Sequence, residues 1–307
     1  MLTAVIPTRN RPDDLGKAVA SVIVQTRLPD ELIIVDQSPG NESRQLVERI
    51  TSEVDKMRLV YVHDQRISGL VDAKRAAATQ AKGEIVCFLE DDVVLETDFL
   101  EQIERTFYDY PEAVGCCGIV TNMPSQPMGY HFLFHLFHRG IFKDRRIGLY
   151  EKFQGRGHPL VPSAMLSGGL SAWRRDVFSV VPFDVINGFH MLEDIDFSTR
   201  VEKYFGPRLY INPNARLAHY SSPVNREILG PRQRRKMNEF IMYYKKRSDW
   251  SGATWAFSWL LLGLFLEAAF QSVKACSLDI LLSHFKGIKE GFSRKAVDIQ
   301  ENENSSI

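Results

Sequence analysis

Three consecutive carboxylates, Glu90, Asp91 and Asp92, follow directly on the apolar run Ile85-Val86-Cys87-Phe88-Leu89. Adjacent acids repel one another unless positive charge lies between them. Hard divalent cations take oxygen ligands, carboxylates foremost. The chemistry on offer is therefore a cation site, with the cation carried in on a phosphorylated ligand. The plainer reading is a solvated acidic turn ahead of a helix near Thr97. The preceding run has the length and the β-branched and aromatic content of a strand buried on both faces. In open α/β sheets, ligands collect at the carboxyl ends of such strands.

Other polar residues fall at equivalent places. Thr8 and Arg9 follow a first apolar run, and Asp36 ends a second. Arg66 and Gly69 lie after a third, with Lys74 one turn into the next helix. An Asp at a strand end can hydrogen-bond a nucleobase or ribose, and a Lys in a first helical turn can meet a phosphate. Each also has a structural reading: Asp36 as a turn residue, Lys74 as solvated surface. Together they describe one nucleotide-diphosphate pocket. A second constellation is Glu193-Asp194, heading the amphipathic stretch to Tyr204 and including Arg200. Acids suit a helix N-terminus; a carboxylate there can equally serve as a general base. Gly168-Gly169 reads as a tight turn or a place where a ligand nears the backbone.

The elements that position these residues alternate at short, regular spacing. Strands are expected at 2–6, 32–35, 59–62 and 85–89, with helices from 13 to 23, around 46–50 and over 71–81. That pattern means βαβ units and a mostly parallel sheet. A further strand is expected over 113–120. Residues 121–162 break the alternation and read as an insertion over the carboxyl edge. A helix follows at 191–204, then two strands, 208–211 and 215–219.

The chain has 307 residues, 44% of them hydrophobic, which is ample for one or two domains. Its 38 basic and 38 acidic side chains balance, so the charge gives no support for nucleic-acid binding. Four cysteines form no CxxC pair, so neither a zinc site nor a disulfide framework is expected, and a reducing, cytosolic setting fits. The opening residues enter a strand without a basic region or cleavage site, so no signal peptide is expected.

From Asn225 the composition shifts. Bases cluster between Arg226 and Arg247, answered only by Glu227 and Glu239. The apolar run Ala253–Leu266 follows, about 21 Å as a helix and short of the ~30 Å hydrocarbon core. Bases before an apolar run, with Trp255 and Trp259, suit peripheral or monotopic attachment to the cytoplasmic face of a membrane. The alternative is a helix packed on the catalytic domain or on a second subunit, making a homo-oligomer. The tail, 298–307, is polar.

The segments AVIPTRNRPDDL, IIVDQSPG, ISGLVDAKRAA, IVCFLEDDVVL, SGGLSAWRRDVF and GFHMLEDIDFSTRV stand in order over about residues 2–222. The set resembles glycosyltransferase family 2, inverting enzymes of the GT-A fold. The resemblance implies a Rossmann-like, mostly parallel α/β sheet flanked by helices, here with a helical C-terminal extension. With the composition shift at Asn225, the chain divides into a catalytic domain, 1–224 (donor half to about 120, acceptor half about 121–224), and a C-terminal region, 225–307. The resemblance also implies transfer of a sugar from a nucleotide-diphosphate donor, with Mn²⁺ or Mg²⁺; with the membrane reading of the C-terminal region, a lipid-linked or cell-envelope glycan is the natural acceptor. By motif position Pro7, Thr8 and Arg9 sit against the nucleoside, and Asp36 reads the base. Lys74 and Asp91 line the donor pocket, which Arg66 and Gly69 join by their place after the third strand, and Asp92 and His219 hold the metal. Asp194 is the base; Glu193, Arg200, Gly168 and Gly169 fall on the acceptor side. The family often has Asp where Glu90 stands, which leaves Glu90 unassigned.

The block Tyr130–His138 places His131, His135 and His138 at i, i+4, i+7, the spacing of one helix face. A second metal site and an apolar acceptor flap are its two readings. Two other classes compete for the whole chain. A sugar-phosphate nucleotidyltransferase would carry a glycine-rich loop after strand one, where this sequence has PTRNRP. A non-catalytic membrane scaffold would not need Asp36, Asp92 and Asp194 together.

Overall fold

Leu2–Thr8 is buried along its whole length as the first strand, β1. It lies between two parallel partners, β2 (Glu31–Asp36) and β4 (Ile85–Leu89), which explains why all three read as near-continuous apolar runs. β3 (Arg58–His63) continues the sheet beyond β2. The register sets Thr8 beside Asp36 and Asp36 beside His63, so these strands end level. The crossovers are α1 (Pro12–Ile23), α2 (Glu42–Thr51) and α3 (Leu70–Gln80). α1 starts on Pro12, whose fixed φ and missing N–H suit a first helical position, and buries Leu15, Ala18, Val19 and Val22. This computed structural model describes residues 1–144, 146, 149–153, 155–224, 227–297 and 299. Arg226 and, apart from Ile299, the polar tail lie outside the described residues.

The remaining elements run β5 (Val93–Leu95), α4 (Phe99–Asp109), β6 (Gly115–Val120), α5 (Met128–Phe137), a 3₁₀ turn at Gly140–Phe142, α6 (Leu149–Lys152), β7 (Val161–Ser163), β8 (Leu170–Arg174), α7 (Val177–Val180), α8 (Glu193–Phe205), β9 (Leu209–His219), α9 (Leu229–Lys245), α10 (Ala253–Lys274) and α11 (Asp279–Ser293). Sheet order is β3-β2-β1-β4-β8-β6-β9-β5, with β7 on β9. The parallel character expected from sequence holds across β1 to β4 and for β6 with β9. β8 runs antiparallel to both β4 and β6, so the second half is mixed.

The two strands expected at 208–211 and 215–219 are one strand, β9. Its pairing with β6 jumps from Cys117↔Ile211 to Ile119↔Arg216, so Asn212–Ala215 bulge out without ending the strand. The bulge brings the Ala215 carbonyl oxygen to 2.3 Å from where a Cβ on Gly118 would stand, so only glycine fits there.

The chain forms two compact units. One comprises residues 1–124, 148–183 and 197–225; the other comprises 125–147, 184–196 and 226–307. Segments 125–147 and 184–196, expected with the catalytic domain, thus join the C-terminal helices, and the division falls inside α8. In the first unit Phe88, Trp173, Phe178, Phe183 and Phe197 form an aromatic cluster under β4 and β8. In the second, Met237, Ile241, Phe257 and Leu260 centre a separate core.

Candidate active site

The three acids occupy the link between β4 and β5. Val93 pairs with His219 in antiparallel register, so the last residue of β9 arrives beside Asp92. His219 Nε2 lies 3.1 Å from Glu90 Oε2 and 3.0 Å from Asp92 Oδ1. The Ser222 N–H donates to Asp92 Oδ2 at 2.8 Å. Arg11, from the loop after β1, donates to Asp91 Oδ1 at 2.9 Å and lies 3.7 Å from Asp92 Oδ2. The Thr8 hydroxyl donates to Asp91 Oδ2 at 2.7 Å. The positive charge that three adjacent acids require thus comes in part from the protein.

The acids differ in character. Burial pushes the Glu90 carboxyl up, and Asp92 and Asp91 add like charge, against His219 and Lys74. Asp91 is also pushed up by burial, with Thr8 and Arg11 opposing. Burial works against Asp92 too, but the bonds from His219 and Ser222 and the nearby Arg11 outweigh it and hold this carboxyl below its ordinary value. Asp92 is the member best kept ionised.

Glu90, Asp92 and His219 each present one ligand atom, all within 4.8 Å of one another, and no other such group occurs among the described residues. Two carboxylates and an imidazole are a donor set that Mn²⁺ accepts, Mg²⁺ less readily because it favours oxygen. The residues present therefore fit a divalent ion. Sequence reasoning had left Glu90 unplaced and had passed over Arg11. The signals for both were available: a third acid in the triplet, and a second arginine in a short loop.

Gly168 and Gly169 lie against the same cluster. The Gly169 carbonyl accepts from the Glu90 N–H at 3.1 Å. A Cβ on Gly169 would stand 2.3 Å from the Glu90 carboxyl carbon. The glycine makes room for Glu90, where the sequence had suggested room for a ligand. Lys74 is buried, unlike a surface lysine, and its Nζ donates to the Gly168 carbonyl at 3.0 Å.

The other expected residues make contacts of their own. Asp36 is fully buried; its Oδ1 accepts from the Ser38 N–H at 2.8 Å and its Oδ2 from the Tyr61 hydroxyl at 2.7 Å. One oxygen thus holds the turn after β2, and the other meets the hydroxyl of Tyr61 on β3. The Arg66 side chain is 90% exposed and forks onto Asp64, its neighbour two residues back. Gly69 has φ +89°, and its N–H donates to Gln37 Oε1 at 2.9 Å. Pro7 is buried in β1, and Arg9 is exposed just beyond it. Arg200 donates to the Pro182 carbonyl at 2.6 Å, its guanidinium 5.6 Å from the Phe197 ring centroid.

Asp194 lies in the second unit, in the first turn of α8 beside the buried Glu193. Arg146 Nη1 donates to Asp194 Oδ2 at 2.6 Å. The same guanidinium uses Nε and Nη2 on Asp144, at 3.0 and 2.7 Å. Glu239 of α9 forms no ion pair with the basic cluster among the described residues, although the charge of Arg235 acts on it. Its Oε2 accepts from the N–H groups of His190, Met191 and Leu192 at 3.0, 2.7 and 3.0 Å, fixing the turn that leads into α8. The cluster's bases find other partners: Arg234 pairs with Glu290, Arg235 with Glu227, and Lys236 with Glu267. Lys246 and Arg247 converge on Asp196 at 2.8 and 3.0 Å. His131, His135 and His138 form no metal-binding group among the described residues. His138 stacks on Phe134, with ring centroids 3.8 Å apart.

The chain belongs to glycosyl transferase family 2, whose model matches residues 3–180. It is 23% identical to "Glycosyltransferase GlyA" of Streptococcus pneumoniae over 60% of this chain and 26% of that protein. It is 26% identical to a Campylobacter jejuni protein, "GalNAc(5)-diNAcBac-PP-undecaprenol beta-1,3-glucosyltransferase", over 54% of this chain and 52% of that one. The matched stretches thus span about a quarter and about half of these relatives' own lengths. Among solved structures, a Pyrobaculum calidifontis mannosyltransferase, in complex with GDP-Man and Mn²⁺, superposes with a TM-score of 0.59 at 14% identity. The match covers 95% of this chain and 86% of that one and shows a shared fold.

Proposed function

We propose that this chain transfers a sugar from a nucleotide-diphosphate donor to a glycan or lipid-linked acceptor in cell-envelope polysaccharide synthesis. The observation that carries the reading is the convergence of Glu90, Asp92 and His219 at the sheet's carboxyl edge, with Arg11 and Lys74 as cations beside them. Similarity to the undecaprenol-linked glucosyltransferase supports a lipid-linked acceptor. Pro7, Thr8, Arg9 and Asp36 are assigned to the nucleoside side. Arg66, Gly69, Lys74 and Asp91 go to the donor side, and Glu193, Arg200, Gly168 and Gly169 to the acceptor side.

In this reading Glu90, Asp92 and His219 hold Mn²⁺ or Mg²⁺, which when bound neutralises charge on the donor diphosphate. Asp194 accepts the acceptor hydroxyl proton as that oxygen bonds to the anomeric carbon. The opposite carbon–oxygen bond breaks with its electron pair leaving on the diphosphate, so configuration inverts. Arg146 must loosen from Asp194 for the carboxylate to take that proton. Its contacts on Asp144 let one arm release while the guanidinium stays anchored. The C-terminal region, 225–307, attaches the enzyme peripherally or monotopically to the cytoplasmic face of a membrane. The test is a thermal-shift panel of UDP-, GDP- and dTDP-sugars with and without Mn²⁺, because a bound donor stabilises the fold by mass action. A metal-dependent shift with one nucleotide class is expected; no shift with any donor overturns the reading.

A further inference from the structure

Most exposed large apolar side chains belong to the second unit, and they cluster on three of its helices. α11 divides by face. Ile280, His284 and Gly287 are buried, while Leu282, Phe285 and Phe292, at helical spacing, are each at least 50% exposed. α10 exposes Trp255, Leu266, Phe270 and Val273. α5 buries none of its residues and exposes Met128, Phe132 and Leu133. The exposed surfaces are joined. Phe265 and Phe285 meet with ring centroids 6.2 Å apart, linking α10 to α11. Trp259 meets Phe137 at 5.5 Å and donates to the Leu136 carbonyl at 2.7 Å, linking α10 to α5.

Charge says what covers this surface. Of the bases of α9, Arg234, Arg235 and Lys236 pair with acids of the same unit, and Lys245 donates to the carbonyls of Gly291, Phe292 and Arg294. Lys286 and Lys289 of α11 are exposed, stand beside Phe285, and form no ion pair among the described residues. Exposed aromatic and aliphatic groups interleaved with unpaired lysines suit the headgroup boundary of an anionic bilayer. α10, at 22 residues, is the one described helix long and apolar enough to cross a membrane. However, Phe257 stacks on Tyr244 at 4.1 Å, and Glu267 pairs with Lys236 at 2.6 Å. A spanning α10 would carry that ion pair into hydrocarbon, which is costly.

We propose that the joined apolar faces of α5, α10 and α11 lie in the plane of an anionic bilayer surface. Leu282 and Phe285 are the anchors, and Lys286 and Lys289 meet the headgroups. This rests on the membrane reading above and gives it a surface and a lipid class. The test is co-sedimentation of the full chain with neutral phosphatidylcholine vesicles and with vesicles containing 30% phosphatidylglycerol. Binding at least tenfold stronger to the anionic vesicles, and release by alkaline carbonate, are expected. K286E/K289E should remove the anionic preference, and L282S/F285S should remove binding to both vesicles, with the melting temperature and the donor-induced shift unchanged. Binding that both double variants leave intact overturns this surface but keeps membrane attachment. Recovery in the supernatant with every vesicle overturns attachment itself. Retention through carbonate overturns the in-plane arrangement. A dimer in vesicle-free solution that L282S/F285S dissociates assigns the face to a second copy and overturns the lipid.

Discussion

Arg146 holds Asp194 at 2.6 Å while forking onto Asp144 with its remaining nitrogens. All three side chains are less than a fifth exposed, so the contacts act at reduced dielectric. A base candidate is thus held by a cation from a segment about fifty residues earlier. D194N should lower kcat by roughly 10²–10⁴, the usual contribution of a positioned base, while the donor-induced thermal shift survives. Retained turnover with an authentic acceptor would remove Asp194 from the role. The pairing itself is read by a double-mutant cycle. R146Q and D194N should couple by about 1–3 kcal/mol in unfolding free energy, and strict additivity would mean the contact carries no energy.

Glu90 is expected to act as a ligand of the divalent ion. E90Q keeps the side chain's shape but removes its charge, and should weaken Mn²⁺ binding by roughly 10–100-fold in calorimetry, about 1.4–2.7 kcal/mol. D92N should do at least as much, because Asp92 is the acid best held ionised. Unchanged affinity in E90Q would return Glu90 to a packing role against Gly169.

Gly169 gives an independent handle on the same cluster. G169A would place a methyl within 2.3 Å of the Glu90 carboxyl carbon, so that side chain or the β8 entry must move. A melting temperature lowered by several degrees, together with weaker Mn²⁺ binding, is the expected result, since overpacking costs ~1–3 kcal/mol. Loss of stability with full Mn²⁺ affinity would separate the glycine from the metal site.

Legibility from sequence followed the range of the interactions. β4 was read to the residue because a β-branched and aromatic run ends abruptly in acids, and α3 was read to within one residue. Asp92 and His219 were both singled out, and the structure sets them 3.0 Å apart. Local patterns failed where distant contacts decide. β9 passes through Asn212-Pro213-Asn214 because β6 pairs with it on both sides of them, and a turn-like tetrad became a bulge. The gathering of 125–147 and 184–196 with the C-terminal helices rests on contacts such as Glu239 with His190–Leu192 and Trp259 with Leu136, which no local period encodes. Arg146 was missed for the same reason.

Glu239 is expected to stabilise the turn into α8 through one oxygen. Burial holds its carboxyl above the ordinary range, against the three N–H groups that favour the charge. E239A would strand three donors and should cost at least about 3 kcal/mol in unfolding free energy. E239Q keeps an acceptor oxygen in place and should cost about 1 kcal/mol. Equal losses in urea denaturation of the two variants would show that side-chain volume, not the acceptor, is what the turn requires.

His138 should make the protein lose stability as the pH falls below neutrality. Burial lowers its imidazole to about 4; the bond to the Phe134 carbonyl works the other way, and Lys236 adds to the lowering. In the unfolded chain a histidine titrates near 6.5. Below that value the unfolded state binds the extra proton first, so the neutral folded histidine contributes fully above about pH 6.5 and loses ground down to about pH 4. The loss reaches about 2 kcal/mol by pH 5. Of the charges facing this ring, Asp144 is held below its ordinary value and titrates under this window, and Lys236 and Glu267 form an ion pair. The raised Glu239 carboxyl acts with the opposite sign, gaining stability as the pH falls, so the comparison must be made between variants. H138F keeps an aromatic ring on Phe134 without the titrating nitrogen. Melting temperatures from pH 7.5 to 4.5 should fall more steeply in the wild type than in H138F, and parallel curves would mean that His138 is not the group responsible.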